Sequence, residues 1–300
     1  MKLICTTLIA LLLLASGTLL AAQQRKPTEQ EELALAAMEG LMAQSSERAL
    51  PIIRKVLAGS QTTLVKQRAL FVLSQIDEPE AQDILIQTTR STDPALRKEA
   101  IRSIGIGGQE KSLAALKDIY NAGNAEVKEE VLHAWLIADR KEEVYQAALN
   151  AKSEDEAAQA IHILGAMGAV DELRKLGERP NASRKLVDAY AISGDLASLR
   201  KIADTHADPS VRAEAVQQIG VIGDDPARAA LREIYTRSTD AQIKEAALHG
   251  LLIADDEKGV LALYRAATTA EEKRALLRTL TMMDGDAALE AIDAALEGKK

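Results

Sequence analysis

The residues of this sequence best suited to proton transfer or metal ligation are three of its four histidines, His133, His162 and His249. Each lies inside an apolar stretch (Leu132-His133-Ala134-Trp135, Ile161-His162-Ile163-Leu164, Leu248-His249-Gly250-Leu251). A nucleophile could come from Ser198-Leu199-Arg200-Lys201, which matches the Ser-x-x-Lys pattern of some acylating enzymes but lacks the companion motifs of that chemistry. Paired carboxylates recur at Glu129-Glu130, Glu142-Glu143, Asp224-Asp225 and Asp255-Asp256, without the spacing of a calcium-binding loop. Gly105-Ile106-Gly107-Gly108 is glycine-rich, yet no strand precedes it, so helix termination is preferred over phosphate binding. No HExxH, P-loop or GxSxG motif is present. Asn181-Ala182-Ser183 has the form of a glycosylation sequon, to which a bacterial-type export signal gives no weight.

The elements that hold these residues follow from a repeat. Apolar helical stretches end in Asp77, Gly108, Asp139, Gly168, Gly194, Gly223, Asp255 and Asp284, at intervals of 31, 31, 29, 26, 29, 32 and 29 residues. Four residues before each terminator stand Leu73, Ile104, Trp135, Leu164, Tyr190, Ile219, Leu251 and Leu280. Seven and eight before it, the positions are apolar in every repeat, as at Ile101 and Ala100 or Val216 and Ala215. Spacings of three and four define one buried stripe of a helix. An earlier helix precedes each, marked by Leu113, Leu116 and Ile119, or by Leu196, Leu199 and Ile202. Asp93-Pro94 and Asp208-Pro209 are start signals, with Asp as N-cap and Pro at the first helical position. The unit is an αα-hairpin of roughly 30 residues, and Trp135 belongs to the core column.

A longer period is superposed on the first. DPALRKEAIRSIGIGG, from Asp93, matches DPSVRAEAVQQIGVIG, from Asp208, at 8 of 16 positions. VKEEVLHAWLIAD, from Val127, matches IKEAALHGLLIAD, from Ile243, at 8 of 13, and the offsets are 115 and 116 residues. This reads as duplication of a four-repeat block, about 78–194 and 195–300.

Apolar residues make up 47% of the 300-residue chain but aromatics only 2%, a composition suited to thin layers of packed helices. Lys2 followed by the apolar run Leu3–Leu14 has the form of an export signal, with cleavage after Ala22 or, second, after Gly17. The rival reading is an uncleaved N-terminal membrane anchor. Residues 1–22 hold Lys2 and Cys5, so the mature chain has no cysteine, and 36 Lys and Arg stand against 45 Asp and Glu. That acidic balance disfavours nucleic acid as a partner, and no second stretch is apolar enough to span a membrane. Thr28-Glu29-Gln30-Glu31 is a capping box opening a helix to about Gln44. Asp286–Glu297 reads as a last helix, ended by Gly298 and two lysines.

Asp93-Pro94 with Arg97, Glu99, Ala100, Ile101, Ile104 and Gly105 resembles the HEAT-like repeat family, including the short bacterial repeats of phycobilisome lyases. Asp208-Pro209 with Arg212, Glu214, Ala215, Val216, Ile219 and Gly220 carries the same resemblance. The expectation is an all-α chain, a right-handed α-solenoid of about eight HEAT-like helical hairpins over 45–300, with residues 23–44 as capping helix. The resemblance implies that the second helix of each hairpin lines the concave surface. The column six residues before each terminator would then face a groove: Arg102, His133, His162, Asp188, Gln217 and His249, with Phe71 and Arg278 at its ends. Equivalent positions on neighbouring helices lie about 8–10 Å apart, too far for two imidazoles to share a zinc ion bound at about 2 Å. The column reads either as ordinary polar residues at a solvent-facing repeat position or as a surface that binds a protein or peptide, and no metal or cofactor is expected there. The functional expectation is a non-catalytic interaction scaffold or adaptor in a bacterial periplasm, with a HEAT-like enzyme such as a lyase as the alternative.

Overall fold

The computed structural model describes residues 26–179, 183–283 and 285–296. The export signal, Asn181 and Ala182 of the sequon, and Asp284 lie outside them, as do Glu297, Gly298 and the two terminal lysines. Eighteen helices and no strand occur among the described residues. An N-terminal helix α1 (Glu29–Leu41) is followed by eight hairpins: α2 (Ser46–Ala58) with α3 (Thr63–Ser74), α4 (Pro79–Thr88) with α5 (Pro94–Gly107), α6 (Glu110–Ala122) with α7 (Ala125–Ile137), and α8 (Lys141–Leu149) with α9 (Glu154–Ala166). Then come α10 (Val170–Gly177) with α11 (Ser183–Ile192), α12 (Leu196–Thr205) with α13 (Pro209–Ile222), α14 (Asp225–Arg237) with α15 (Ala241–Ile253), and α16 (Glu257–Ala266) with α17 (Ala270–Met283). A final helix, α18 (Asp286–Leu296), closes the series. None is long and apolar enough to cross a membrane.

The chain forms two compact units, one to Leu116 and one from Lys117. In the first, α1 packs on α3, and α3 on α5. In the second, the second helices α7, α9, α11, α13, α15 and α17 pack each on the next. The repeat register is visible in burial. Every residue four before a terminator is buried, and so is every residue eight before it. The column seven before departs only at Leu277, which is half-buried in the last hairpin. Trp135 is 2% exposed, its ring 5.3 Å from that of Tyr120, so it is a core residue.

The helix ends explain the recurring Gly and Asp. Gly108, Asp139, Gly168, Gly194, Gly223 and Asp255 all have left-handed backbone, with φ between 51° and 75°. After four of them the next amide reaches back five residues: Arg140 N to Trp135 O, Ala169 N to Leu164 O, Asp195 N to Tyr190 O and Asp256 N to Leu251 O, at 2.8–3.0 Å. This is the Schellman arrangement, which satisfies carbonyls that the helix leaves free. Asp77 departs from it, because α3 stops earlier, at Ser74. There Ser74 Oγ donates to Phe71 O (2.7 Å) and Gln109 Nε2 to Ser74 O (3.0 Å), so side chains satisfy the terminal carbonyls instead.

The starts are as regular. Asp93 and Asp208 are the N-caps of α5 and α13, accepting from Ala95 N (2.9 Å) and Ser210 N (2.8 Å), each with Pro at the first position. Thr28 and Glu31 form the reciprocal capping box of α1, whose Met38 is buried. At the other end α18 packs on α16 and α17 and buries Ala287, Ala288 and Ala291. The two terminal helices thus cover the cores that the first and last hairpins would otherwise expose.

Candidate functional site

Burial of positions four, seven and eight before each terminator turns the position six before it outward, about 155° from the centre of that stripe at 100° per residue. In the first unit this column holds Phe71 on α3, half-buried, and Arg102 on α5, exposed. In the second unit it holds His133 on α7, His162 on α9, Asp188 on α11, Gln217 on α13, His249 on α15 and Arg278 on α17. All six are exposed except Gln217, which is half-buried. They stand on consecutively packed helices, one per helix. Asp188 accepts a hydrogen bond from Gln218 Nε2 of the next hairpin (2.7 Å).

Two grooves open on these helices. In the second unit a groove of about 620 Å³ lies over α15 and α17. Lys244, Arg278, Glu245, Glu271 and Glu272 contribute its charged groups, His249 an imidazole, and Leu248, Leu252 and Met282 its apolar wall. Lys244 Nζ sits 2.7 Å from Glu272 and 5.1 Å from the centre of the Tyr235 ring. The hydrogen bond from Lys244 holds the Glu272 carboxyl below its ordinary pKa, while burial and the facing Glu272 raise that of Tyr235. In the first unit a groove of about 420 Å³ is lined by Phe71, Arg102, Arg68 and Glu99. The Arg68 guanidinium lies 5.4 Å over the Phe71 ring and 2.5 Å from Glu39. Burial pushes the Glu99 carboxyl up against the opposing pull of Arg102 and Arg68. The structure thus places Arg102 in a groove of the first unit and His249 and Arg278 in a groove of the second, while His133, His162 and Asp188 are exposed and Gln217 half-buried on their own helices.

Reading the sequence residue by residue missed the duplicated Tyr–Lys–Glu set. Tyr120, Lys128 and Glu156 repeat the arrangement of Tyr235, Lys244 and Glu272: Lys128 Nζ is 2.6 Å from Glu156 and 5.4 Å from the Tyr120 ring centre. The signal was present, since all three pairs are separated by 115 or 116 residues.

The remaining chemical candidates resolve into helix architecture. Ser198 is the third residue of α12, and its hydroxyl donates to Asp195 Oδ2 (2.6 Å), its amide to Asp195 Oδ1 (3.2 Å). Asp195 is itself held by Arg174 through two hydrogen bonds of 2.9 and 2.8 Å. Burial opposes its ionisation, but the bonds from Arg174 and Ser198 win and hold its pKa below the ordinary value. A carboxylate so engaged is a poor base for activating a serine. Asp224 and Asp256 cap α14 and α16, Glu142 and Glu143 occupy the first turn of α8, and Gly108 ends α5. Among the described residues no group of three or more His, Cys, Asp or Glu could hold a metal ion.

Comparison with solved structures finds human deoxyhypusine hydroxylase in complex with glycerol, at 16% identity over 90% of this chain and 93% of that one, with a TM-score of 0.34. An engineered protein matches at 19% over 90% of each chain, with a TM-score of 0.33. The complex of CpcE and CpcF of phycocyanin lyase from Nostoc matches at 19% over 87% of this chain and 96% of that one, with a TM-score of 0.32. At these scores none of the three bears on activity. No curated protein matches the chain. The family model for HEAT repeats matches residues 50–136 and 196–283, which is more than half of the sequence and takes in both Asp93–Gly108 and Asp208–Gly223. With its capped hairpins and repeating core columns, the chain belongs to the HEAT-repeat family.

Proposed function

We propose that this protein is a non-catalytic scaffold that binds a protein or peptide partner in the bacterial cell envelope. The observation that carries the reading is the outward column of the second unit, where His133, His162, Asp188, Gln217, His249 and Arg278 stand on six consecutively packed helices. Such a row offers one polar contact per repeat along a line, which suits an extended partner better than a compact small molecule. The polar groups candidate for catalysis are instead committed to caps and ion pairs, as Ser198 and Asp195 are. The envelope assignment rests on residues 1–22, read as a cleaved export signal.

The test uses the chain as bait in cell-envelope extract, beside a His133→Ala, His162→Ala, His249→Ala variant. Exposed substitutions seldom cost more than about 0.5 kcal/mol each, so the variant should melt with the parent. Proteins retained by the parent should be depleted on the variant by about tenfold, a difference of about 1.4 kcal/mol. Equal retention by the two, or none by the parent above a scrambled-surface control, would overturn the reading. Location is checked by intact mass after export, where loss of residues 1–22, or 1–17, is expected. A full-length chain in the membrane fraction would refute it.

A further inference from the structure

Each terminal helix carries one half of a hairpin. Five and eight residues after a terminator the first helices are buried, as at Leu113 and Leu116, Leu173 and Leu176, or Leu199 and Ile202. These columns face the second helix of the same hairpin. A Cβ on Gly250 would meet Leu231, eight after Gly223, and the Tyr120 ring, twelve after Gly108, lies against Trp135. α18 packs on α16 and α17 as a first helix does. Counting from Asp284 puts its Leu289, Ile292 and Leu296 in columns five, eight and twelve. Yet Leu289 is 67% and Leu296 83% exposed, and Ile292 is half-buried, since no second helix follows α18 among the described residues.

α1 carries the other half. It packs on α3, as each second helix packs on the next. Ser45 stands where a terminator would, because Leu50 and Ile53, five and eight after it, are both buried. In that register Ala37 lies eight before the terminator, a position buried in all eight hairpins, and Gly40 and Leu41 lie five and four before. Ala37 and Gly40 are exposed, Leu41 is half-buried, and Leu33, one turn before Ala37, is 73% exposed. Leu277, the one departure from the buried column seven before, lies on α17, the helix that a following second helix would cover.

We infer that copies of this chain join end to end, with α1 of one copy serving as second helix to α18 of another. α18 lacks a second helix and α1 lacks a first, so a single contact completes both. Between α18 and α1 that contact is an aliphatic seam, because the charged side chains of both helices are all carboxylates. Each then meets cations on a helix flanking its partner. Beside α18 would lie α2 of the next copy, which exposes Arg48 and Lys55 next to Glu47. Within the first unit Arg54 and Glu80 pair from positions nine and three of successive first helices. At the junction those positions hold Asp293 and Arg48, both exposed, with the signs exchanged.

Beside α1 would lie α17. Its Lys273 occupies the column of Lys128 and Lys244, eleven before a terminator, and faces the Tyr264 ring at 5.8 Å. Lys128 and Lys244 pair forward with Glu156 and Glu272 of the next second helix, whereas Lys273 has no carboxylate partner among the described residues. α1 would bring exposed Glu32, one position from that glutamate column, and exposed Glu29 toward Lys273 and its exposed neighbour Arg274. Matched charges of this kind fix which ends meet more than how tightly they hold.

Sedimentation of the full chain over about a hundredfold range of concentration tests the pairing. Two variants accompany it: Leu289→Asp with Leu296→Asp on α18, and Leu33→Asp with Ala37→Asp on α1. The parent should form species larger than a monomer, since a contact between unlike ends either closes into a ring or extends. A carboxylate in the seam should weaken association at least about hundredfold, leaving each variant monomeric with unchanged helix content. Each variant keeps one intact end, so an equal mixture of the two should give a dimer and nothing larger. A parent monomeric throughout, variants that assemble as it does, or a mixture that stays monomeric would overturn the inference. If only one variant loses assembly, that helix pairs with its own copy across a two-fold axis, and the end-to-end pairing falls.

Discussion

The side chain of Lys128 is 8% exposed, and its ammonium lies 2.6 Å from the carboxylate of Glu156 on the next second helix. Lys244 and Glu272 reproduce the pair at 2.7 Å in a later hairpin. Each lysine also faces a tyrosine ring, Tyr120 or Tyr235, on its own hairpin. Each ammonium, that of Lys128 on a buried side chain and that of Lys244 on a half-buried one, gains a charged hydrogen bond and a ring face in exchange for hydration, and the bond crosses from one repeat to the next. These sets pin neighbouring hairpins together where α7 meets α9 and where α15 meets α17.

Removing only the carboxylate should leave Lys128 buried without its counter-ion. Glu156→Ala is expected to lower stability by about 1–3 kcal/mol, less than a fully buried pair would lose because Glu156 still touches water. Replacing both residues, Lys128→Met with Glu156→Leu, should recover most of that loss, since matched apolar groups need no counter-charge. Thermal melts of the three chains check this. A double variant no better than Glu156→Ala would show that the pair itself is not what Glu156 contributes.

The same pairs set the response to acid. Hydrogen bonds from Lys128 and Lys244 hold Glu156 and Glu272 below their ordinary pKa, and those from Arg174 and Ser198 do so for Asp195 against its burial. A carboxyl whose pKa is lowered by folding contributes stability that is fully present above its unfolded value, about 3.9 for Asp and 4.3 for Glu. That contribution is lost as pH falls through the lower folded value. Melting temperature should therefore be flat near neutrality and fall below about pH 4. Asp195→Asn should be less stable than the parent at pH 7 but lose less on acidification. Parallel pH profiles for the two chains would remove Asp195 from the account.

How much of this was legible in the sequence depends on what had to be periodic. The core was legible because burial acts on every repeat alike: Ile104, Ile219 and Leu251 occupy one column and all are fully buried. The left-handed ends were legible as Gly or Asp, except at Asp77, where hydrogen bonds from Ser74 and Gln109 end the helix by other means. The polar column was identified from its histidines. The uncovered seams of α1 and α18 were not, because Leu33, Leu289 and Leu296 read as core until solvent exposure is known. The lysine pairs were hidden for the converse reason. A Lys at a helix start reads as surface, and its burial depends on a tyrosine and a glutamate that lie on other helices.

The left-handed terminators make a conformational prediction free of packing. An added Cβ at Gly108 would meet nothing within 4 Å, so Gly108→Ala tests only its φ of 69°. It should destabilise by about 1 kcal/mol, the cost of placing a side chain in left-handed backbone. Asp139 and Asp255 already bear that cost, at φ of 52° and 51°. Asp139→Gly and Asp255→Gly should each raise stability, by about 0.5 kcal/mol, because Asp tolerates the conformation better than most residues. Denaturant midpoints give the comparison, and a neutral Gly108→Ala would mean that this helix end is not left-handed in solution.

A different glycine position governs how closely two repeats approach. A Cβ on Gly220 of α13 would collide with the backbone of Gly250 on α15, including its carbonyl oxygen. Backbone cannot rotate away, so Gly220→Ala must push the two helices apart and loosen the layer that buries Val216, Ile219 and Leu251. The expected loss is about 1–3 kcal/mol. Gly250→Ala should cost less, because its nearest contacts are Leu231 Cδ2 and Cδ1, at 2.9 and 3.1 Å, and that side chain can move. Gly40→Ala, in α1 with nothing within 4 Å, should instead gain about 0.5–1 kcal/mol from helix propensity alone. Melting temperature should therefore fall in the order Gly40→Ala, parent, Gly250→Ala, Gly220→Ala. If Gly220→Ala melted with the parent, α13 and α15 would have to lie further apart than this packing requires.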